Sequence, residues 1–425
     1  MRGMPARRIL LASFGSLGDL HPYIALALEL RRRGHVPVIA TTDRYNEAIR
    51  AHGIEFASMH PLESQLGAAQ KHIEKMLDPR RGPEYLVKQL VMPYVRQAYN
   101  DLCLAAQDAD VLVTHPLAVA GRLVAEKTGL PWISTVLSPM SLLSAIDPPQ
   151  YPHARFLTWV RKLGILPYRA VFRLARTRVR SWEEPLSSLR AELDLPDAPP
   201  ALLEGQFSPA LNLALFSAEL AAPQRDWPLN TVQCGFARFD GAAPDEATRS
   251  SLEDFLAAGD PPIVFTLGSS AFAVAGNFWT SAIEAAKQLD RRVLLITGEP
   301  AAQTPWVKGA VAAFAYLPYS LVFPRAAAIV HQGGIGTLAQ ALASGRPQLV
   351  LPIAFDQPDN AARVVRLGAA RSIAFRKANA EKLAAELGAL LEDARYTERS
   401  REVGAKVASE NGAARGADLI AALSR

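Results

Sequence analysis

The sequence has little cysteine and no long apolar run, and each absence narrows what the protein can be. Only two of its 425 residues are cysteines, Cys103 and Cys234, which is too few for a disulfide framework. They show no metal-ligand spacing, so we expect no metal site and a reducing compartment, the cytoplasm. No stretch approaches the length of apolar sequence that spans a membrane. The run Ile9 to Ala12 is shorter than a signal-peptide core and predicts a buried strand.

What is present is typical of a packed globular protein. Hydrophobic residues make up 49% of the chain and charged residues 20%, a balance that argues against disorder. A chain of 425 residues is too long for one hydrophobic core. Two domains of roughly 200 residues each are therefore expected.

Short apolar strands alternate with helical segments along both halves of the chain. A Gly-rich turn at 15–19 follows the first strand, and the apolar spacing from Pro22 to Arg33 predicts a helix. Such alternation predicts parallel βαβ units and doubly wound sheets, so the predicted fold class is α/β. The predicted strands are Arg8–Ala12, Val36–Ala40, Val111–Thr114, Trp132–Val136, Ile263–Leu267, Val293–Ile296, Ala327–Val330 and Gln348–Pro352.

The alternation is interrupted between Ala221 and Ala247, where proline and glycine recur without a periodic pattern. We place a linker near 238–247 and predict two domains, 1–237 and 238–404. The tail is rich in Ala, Glu and Leu, and its last helix, about 405–425, could pack back on the first domain. Two such sheets would leave a cleft between them, the default site for a ligand.

The most informative segment is the loop from His331 to Thr337, His-Gln-Gly-Gly-Ile-Gly-Thr, which follows a predicted strand and precedes a helix. Its glycines, Gly333, Gly334 and Gly336, let the backbone approach a ligand, and a helix N-terminus offers free N–H groups and a positive dipole. A diphosphate suits such a site, and His331 would donate a further hydrogen bond to it. The alternative is a tight strand-to-helix turn that binds nothing.

Two neighbouring segments favour a ligand site over a bare turn. Asp356 and Gln357 follow the next predicted strand and therefore share a sheet edge with the glycine loop. An acid beside an amide can accept from and donate to adjacent sugar hydroxyls. Upstream, Tyr316 lies on a turn before a further strand, where its ring could stack on a base while adjacent backbone groups pair with the base edge.

In these segments the sequence resembles the nucleotide-sugar-dependent glycosyltransferases, a family that includes natural-product, sterol and rhamnolipid glycosyltransferases. The stretch from Tyr316 to Gly368 is similar to their donor-binding signature almost throughout, including the His-x-Gly-Gly-x-Gly-Thr loop and the Asp-Gln-x-x-Asn motif. The Gly-Ser-x-Gly-Asp-x-x-Pro motif at 15–22 and the Arg-Gly-His at 33–35 are also similar. The resemblance therefore spans both halves of the chain.

The resemblance implies the GT-B fold, two Rossmann-like domains facing across a cleft, and metal-independent inverting transfer without a cofactor. The N-terminal domain would bind the acceptor, and the C-terminal domain would bind the nucleotide-sugar donor. Asp356 and Gln357 would hold the transferred sugar. The rest of the donor site would comprise His331 and the backbone of Gly333, Gly334, Gly336 and Thr337 at the diphosphate, Ser269 and Ser270 at a phosphate, and Tyr316 with Leu317 at the base.

One position departs from the family pattern. Family members that use a ribose donor often place a Glu nine residues after the loop His, where it binds the ribose hydroxyls, and here that residue is Gln340. Deoxyribose has no 2′-hydroxyl to satisfy, so Gln340 favours a thymidine diphosphate donor over a uridine diphosphate donor. Rhamnosyl and glucosyl transfer both stay open.

Displacement at the anomeric carbon needs a base that takes the proton of the acceptor hydroxyl. Asp19 is the candidate, because it lies in the turn after the first strand and the bacterial branch of the family has an acid there. His21 is the second candidate, with an ordinary pKa of about 6.5. Asp19 could instead cap a helix, and a carboxylate bonded to helix N–H groups has a lowered pKa and is a poorer base.

The acceptor is the part of the reaction that the sequence specifies least. A hydrophobic molecule with a hydroxyl group fits the resemblance, for example a flavonoid or other polyphenol, a hydroxy fatty acid lipid or a sterol. Met140, Phe156 and Trp159 are the candidate acceptor-binding residues. Side chains of these types are more often part of a core, so a structural role is the alternative.

A basic segment, 148–182, contains eight basic residues and no acidic one, interleaved with apolar residues. It is either a solvated helical face or a surface, about 155–180, that makes weak contact with anionic lipid or an amphiphilic acceptor. No recognition motif for nucleic acid accompanies the charge, so we expect no nucleic-acid partner.

Other functions have weaker support. Asp108-Ala109-Asp110 resembles a metal-binding Asp-x-Asp, but it directly precedes a strand and lies far in sequence from the donor motifs. The turn at 15–18 lacks the full dinucleotide-binding glycine pattern, and no Gly-x-Ser-x-Gly elbow supports hydrolase chemistry. A nucleotide-sugar epimerase or hydrolase on the same fold is the alternative enzyme, and a non-catalytic sugar-nucleotide binding protein is the alternative without catalysis.

Overall fold

The computed structural model describes residues 5–66, 69–151, 157, 159–160, 163–268, 272–298 and 305–423. The chain forms two compact units. Unit 1 comprises Met1–Ala218, Ala222–Phe239 and Asn411–Arg425, and unit 2 comprises Glu219–Ala221 and Asp240–Glu410. The last helix of the chain thus belongs to unit 1, where it packs on the first helix and Asp418 binds Arg33 at 2.7 Å.

Unit 1 is built on a seven-stranded parallel sheet with the order β3-β2-β1-β4-β5-β6-β7. The central strands β4 and β5 are completely buried, which explains their continuous apolar or small-polar sequence. The seven strands are β1 Arg8–Ala12, β2 Val36–Thr41, β3 Glu55–Ser58, β4 Val111–Thr114, β5 Trp132–Val136, β6 Leu211–Ala214 and β7 Thr231–Gln233.

Unit 2 also has a seven-stranded sheet, with the order β10-β11-β9-β8-β12-β13-β14. All pairs are parallel except β10 with β11, which form an antiparallel edge whose outer strand is exposed. The prediction of an α/β fold with two doubly wound sheets is confirmed. The strands are β8 Ile263–Thr266, β9 Val293–Ile296, β10 Trp306–Lys308, β11 Val311–Phe314, β12 Ala328–His331, β13 Gln348–Val350 and β14 Ala370–Ser372.

The α-helices of the described residues are numbered here in chain order. In unit 1 and at the start of unit 2 they are α1 Leu17–Arg32, α2 Asn46–Ala51, α3 Glu63–Leu66, α4 Ala69–Met76, α5 Gly82–Tyr85, α6 Val95–Ala105, α7 Ala120–Thr128, α8 Ile165–Trp182, α9 Glu184–Glu192 and α10 Glu246–Ala257. The remaining helices are α11 Phe278–Gln288, α12 Tyr319–Val322, α13 Ile335–Ala343, α14 Gln357–Arg366, α15 Ala380–Glu392, α16 Ala394–Ser409 and α17 Gly412–Ala422.

The first helix corrects one expectation. It begins at Leu17 rather than at Pro22, so Asp19 lies in its first turn and not in a preceding loop. The cause is local: Ser16 is the N-cap residue, and the Asp19 carboxylate accepts a hydrogen bond from the Ser16 backbone N–H at 2.7 Å. This reciprocal arrangement is a capping box, which stabilises the start of a helix. Pro22 then lies inside the helix rather than at its start.

Two features are absent from the described part of the chain. None of its helices is long and apolar enough to cross a membrane. Within the same residues, no group of three or more His, Cys, Asp or Glu side chains could hold a metal ion.

Candidate active site

Both sheets reverse their strand order at one place, between β1 and β4 in unit 1 and between β8 and β12 in unit 2. Open α/β sheets bind ligands at such a reversal, outside the carboxyl ends of the strands. The turn that carries Asp19 follows β1, and the glycine loop begins with His331, the last residue of β12. The topology therefore places both sequence-predicted motifs at the positions where this fold binds ligands.

The Asp19 carboxylate is held on both of its oxygens. Oδ2 accepts hydrogen bonds from the backbone N–H of Ser16 at 2.7 Å and from its hydroxyl at 3.0 Å. Oδ1 lies 3.4 Å from Nε2 of His115, which follows β4. Gly15 makes room for this arrangement, because its φ is +138° and a Cβ there would lie 2.3 Å from Asp19 Oδ2.

The hydrogen-bond pattern fixes the tautomer of His115. Its Nδ1 accepts a hydrogen bond from the Leu117 backbone N–H at 3.2 Å, so the neutral ring carries its proton on Nε2. This nitrogen is the one that lies 3.4 Å from Asp19 Oδ1. His115 is buried and also tied to β1 through its backbone N–H, which donates to Ala12 at 2.9 Å. The imidazole is therefore a rigid partner that orients the carboxylate.

Opposing effects set the pKa of Asp19. Burial raises the pKa of the carboxyl, but the hydrogen bonds from His115 and Ser16 outweigh it and hold the pKa below its ordinary value. Asp19 is therefore ionised at neutral pH. Its side chain is still 32% exposed, and Oδ1 has a second lone pair that can accept the proton of a hydroxyl group.

His21, the second candidate base, lies apart from this pair. It is two residues beyond Asp19 on α1, and side chains at that spacing point to different sides of a helix. Its ring packs edge-on against Phe239, with centroids 5.1 Å apart, and Phe239 makes the same kind of contact with His52. In unit 1, the structure thus brings Asp19 together with His115 and not with His21.

In unit 2, the glycine loop turns sharply from β12 into α13. Gly333 has a φ of +89°, and a Cβ there would lie 2.8 Å from Val350 Cγ1 and 3.3 Å from the Gln357 carbonyl oxygen. Only glycine fits both the conformation and the space. Gly334 is the N-cap of α13, whose first-turn N–H groups, at Ile335, Gly336 and Thr337, have no carbonyl partner within the helix. Free N–H groups at a helix start are suited to binding an anion, so these groups are the candidate anion site.

His331 itself corrects the expectation that its ring donates to a phosphate. The side chain is fully buried, its Nδ1 accepts from the Gly333 backbone N–H at 3.1 Å, and its Nε2 pairs with Gln348 Oε1 at 3.0 Å. Burial lowers the pKa of His331 to about 4, so the ring is neutral. The imidazole therefore stabilises the loop conformation through hydrogen bonds within the chain. Contact with a ligand would come from the backbone of the loop.

The Asp-Gln-x-x-Asn motif is joined to the glycine loop. Asn360 on α14 donates from Nδ2 to the Gly333 carbonyl oxygen at 3.0 Å and to Asp356 Oδ2 at 2.8 Å. The Asn360 side-chain amide thus links the glycine loop to the Asp356 carboxylate and holds the two at a fixed distance. Phe355, directly before that carboxylate, has a φ of +56°, a strained conformation for a residue with a Cβ.

Gln357 plays a different part from the one expected. Its side chain is buried, and Oε1 accepts from the backbone N–H groups of Ile353 and Ala354 at 2.9 and 3.2 Å. This oxygen closes the turn that precedes α14, and only the Nε2 end of the amide could then donate to a sugar hydroxyl. Asp356 is therefore the better candidate of this pair for contact with a ligand.

The predicted base-binding residue contacts the start of unit 2. Tyr316 is 44% exposed, and its hydroxyl donates to the Asp240 carbonyl oxygen, while Leu317 is fully buried. The Asp240 carboxylate accepts from Gln340 Nε2 at 3.0 Å and from the Ser320 backbone N–H at 3.3 Å. Tyr316, Gln340 and Asp240 thus form one polar group beside α13.

Comparisons with known proteins now identify the family. Residues 9–146 match the family model "Glycosyltransferase family 28 N-terminal domain", and residues 280–422 match "Erythromycin biosynthesis protein CIII-like, C-terminal domain". O-mycaminosyltylonolide 6-deoxyallosyltransferase of Streptomyces fradiae is 30% identical over 429 residues, which cover 97% of this chain and 96% of that protein. This chain is a glycosyltransferase of the GT-B type.

Two further comparisons concern the sequence and the fold. A sterol 3-beta-glucosyltransferase of Debaryomyces hansenii is 26% identical over 95% of this chain, which spans only 26% of that longer protein. The structure of glycosyltransferase VinC in complex with DTDP superposes with a TM-score of 0.68 over 97% of this chain and 99% of that chain. At 20% identity, this last similarity shows the shared fold alone.

Two of the predicted acceptor residues, Met140 and Trp159, lie in the described part of the chain. Met140 is half-buried after β5, and Trp159 is 63% exposed. Neither lines the apolar pocket of unit 1, which is formed instead by residues such as Phe14, Met59 and Leu117. Three other predicted site residues, Phe156, Ser269 and Ser270, lie outside the described residues.

Two residues of the candidate site were missed in the sequence. His115 was missed because nothing around it in the sequence marks it, yet it follows a predicted strand, as ligand-binding residues of this fold do. Asp240 was read only as part of a linker. Its role depends on contacts with residues 76 to 100 positions away, which a local pattern does not contain.

The buried neutral state of His331 predicts a pH-dependent stability. A folded-state pKa of about 4, below the ordinary value of about 6.5, means that the folded protein resists protonation at this site. The contribution to the free energy of unfolding is complete above about pH 6.5 and falls by up to about 1.4 kcal/mol per pH unit as pH drops toward 4. We expect His331→Asn, whose Oδ1 can still accept from the Gly333 N–H, to weaken this dependence. Urea midpoints of both proteins across this pH range measure it, and equal slopes would contradict it.

Proposed function

We propose that this glycosyltransferase transfers a hexosyl group, rhamnosyl or glucosyl, from a thymidine or uridine diphosphate sugar to a hydroxyl of a hydrophobic acceptor. The observation that carries the proposal is the junction made by Asn360, which joins the anion site at Gly333 to the Asp356 carboxylate. A nucleotide sugar presents its pyrophosphate and its sugar hydroxyls at adjacent positions. Backbone N–H groups suit the first, and a carboxylate suits the second.

The proposed chemistry is direct displacement with inversion and without a metal. The acceptor oxygen forms a bond to the anomeric carbon while the bond from that carbon to the phosphate oxygen breaks. The electron pair leaves with the nucleoside diphosphate, whose charge the N–H groups at the start of α13 stabilise. The proton of the acceptor hydroxyl passes to Asp19 Oδ1, and His115 holds the carboxylate in place.

Thymidine diphosphate is the donor nucleotide that we favour. Gln340 replaces the acid that often binds ribose, and its amide is already bonded to Asp240. The VinC structure is a complex with DTDP, and the S. fradiae relative is named for transfer of a 6-deoxyhexose. The names of the two relatives, a tylonolide derivative and a sterol, support a large hydrophobic acceptor. A polyphenol or a hydroxylated lipid is the acceptor class that we propose.

A donor screen with product mass spectrometry tests the proposal. Thymidine and uridine diphosphate glucose and rhamnose would each be incubated with one polyphenol and one hydroxy fatty acid lipid, with and without EDTA. We expect transfer from thymidine diphosphate donors, unchanged by EDTA, and an inverted anomeric configuration in the product. Transfer from uridine donors alone would overturn the nucleotide preference. Turnover of the donor in samples without acceptor would favour a nucleotide-sugar epimerase or hydrolase instead.

We further propose weak peripheral contact of α8 with anionic membranes. Leu166 and Leu174 are each 76% exposed, and Arg169 and Arg173 lie beside them on the same helix. Other arginines of α8 are neutralised, since Arg176, Arg178 and Arg180 form ion pairs with acidic residues. The two unpaired cysteines support a cytoplasmic location for this contact. Cosedimentation with phosphatidylserine vesicles tests it, and equal recovery with neutral vesicles would contradict it.

A further inference from the structure

A buried amide without a hydrogen-bond partner lies in the glycine loop of unit 2. Gln332 directly follows β12 and is 3% exposed. Within the described part of the chain, its Oε1 is buried without a partner and its Nε2 donates to no acceptor. Buried polar groups in folded proteins are almost always hydrogen-bonded, because an unpaired one destabilises the fold. An amide kept in this state indicates a partner from outside the chain.

This amide lies where the strand order of unit 2 reverses. Gly268 follows β8, the strand beside β12, and Gly334 is the N-cap of α13. A Cβ at Gly268 would lie 2.1 Å from Gln332 Nε2, and a Cβ at Gly334 would lie 2.8 Å from the same atom. A larger residue at either position would displace the amide, so the two glycines keep room for it. Nε2 is therefore next to the candidate anion site at the start of α13.

The chemistry of an amide nitrogen suits an anion at this place. Nε2 carries two N–H donors, which would add to the free backbone N–H groups of the first turn of α13. A hydrogen bond to an ionised oxygen is roughly twice as strong as one between neutral groups. Such a bond would offset what the unpaired amide costs in the protein without ligand. A pyrophosphate, with several ionised oxygens, can accept from the backbone and from Nε2 together.

We propose that Gln332 binds the nucleotide sugar, because its Nε2 donates a hydrogen bond to a non-bridging oxygen of the pyrophosphate. Gln332 thus has the side-chain role that was first expected of His331. This inference rests on the proposed function, since it assumes that the glycine loop receives a nucleoside diphosphate. As the bond to the anomeric carbon breaks, negative charge increases on the leaving phosphate, and the hydrogen bond from Nε2 stabilises it.

The variant Gln332→Met tests the inference, because methionine is also unbranched and of similar size but has no N–H group. Thermal melting of the protein without ligand and calorimetric titration with thymidine diphosphate are measured on the wild type and the variant. We expect the melting temperature to stay the same or rise, since a buried amide without a partner is removed. Thymidine diphosphate should bind about tenfold more weakly or worse, the effect of losing a hydrogen bond to a charged group.

The matched control is Gln348→Met. Gln348 is also a buried amide, and its Nε2 likewise has no partner among the described residues, but its Oε1 pairs with His331 Nε2 at 3.0 Å. Its replacement leaves the His331 N–H unpaired in the core, so the melting temperature should fall. If Gln332→Met lowers the melting temperature as Gln348→Met does and keeps the affinity for thymidine diphosphate, the amide is structural and the inference is wrong.

A second measurement on the wild type decides a mixed result, in which Gln332→Met loses both stability and affinity. The side-chain N–H signals of Gln332 in ¹H–¹⁵N NMR spectra are identified by their absence in Gln332→Met. They should shift when thymidine diphosphate is added and stay in place with thymidine, which has no phosphate. Unchanged signals with thymidine diphosphate would overturn the inference.

The same titrations separate this inference from the proposed function. A wild-type protein that binds neither thymidine diphosphate nor uridine diphosphate would refute both. Equal affinity of the wild type and Gln332→Met for thymidine diphosphate would refute only the role of Gln332 and leave the proposed function intact.

Discussion

Asp19→Asn is expected to reduce hexosyl transfer by about 10²–10⁴-fold, the contribution typical of a general base. An amide oxygen can still accept from the Ser16 backbone N–H, so the helix start is preserved while the proton-accepting carboxylate is lost. Nucleotide affinity should not change, because the anion site is formed by a different unit of the chain. Initial rates of product formation and calorimetry with thymidine diphosphate measure the two effects separately.

Two control variants test whether Asp19 acts as the base rather than only as part of the helix cap, and whether His21 is the base instead. Ser16→Ala removes the hydroxyl that bonds Asp19 Oδ2 at 3.0 Å but leaves the carboxylate, so transfer should persist within a few-fold. His21→Ala removes the other candidate base and should retain activity. Full activity in Asp19→Asn together with loss of activity in His21→Ala would assign the base to His21 and refute the proposal for Asp19.

Gly333→Ala should weaken binding of thymidine diphosphate by about tenfold or more, and transfer should fall with it. A residue with a Cβ costs about 1–2 kcal/mol in a left-handed conformation, and Gly333 has a φ of +89°. The added Cβ would also lie 2.8 Å from Val350 Cγ1, a branched side chain in the core of unit 2 that cannot move aside. The loop must shift, and the N–H groups that face the pyrophosphate shift with it. Calorimetric titration with the nucleotide measures the loss.

Gly345→Ala is the matched control for this variant. Gly345 also has a positive φ, +66°, but the atom nearest to a Cβ there would be 3.5 Å away, in ordinary van der Waals contact. The Gly345→Ala variant should have backbone strain similar to that of Gly333→Ala, because both residues have a positive φ. It lacks the steric conflict that a Cβ at Gly333 makes with Val350. The control should lose stability, seen as a lower melting temperature, and keep its nucleotide affinity. Equal nucleotide affinities for the two variants would mean that the loop does not bind the pyrophosphate.

Much of the fold could be predicted because its determinants are local. The buried strands are short apolar runs, because both faces of a parallel sheet are covered by helices. The strands β1, β4, β5 and β9 begin and end where the sequence predicts. The start of α1 was misplaced by five residues, because the apolar spacing that predicted it begins only at Pro22. The capping box of Ser16 and Asp19 fixes the actual start, and Pro22 lies inside the helix.

The candidate site was located from the sequence, but its contacts were not. Glycines, an acid and an amide in fixed order after two neighbouring strands indicate a nucleotide-sugar site, because parallel strands end at one sheet edge. Which atoms stay available to a ligand depends on partners elsewhere. The Nε2 atom of His331 is hydrogen-bonded to Gln348. The side-chain oxygen of Gln357 accepts hydrogen bonds from the backbone of Ile353 and Ala354. The His331 ring and the Gln357 oxygen therefore support the local fold of their loops.

By itself, the sequence determined the α/β class and the glycosyltransferase family and predicted the loops that we propose to carry the chemistry, because periodicity and motif spacing are properties of neighbouring residues. Only the tertiary structure paired Asp19 with His115, joined Gly333 to Asp356 through Asn360, and placed the Gln332 amide beside Gly268. The physical reason is that a hydrogen bond selects atoms within about 3 Å of each other. That proximity is created by the packing of strands and helices that lie far apart along the chain.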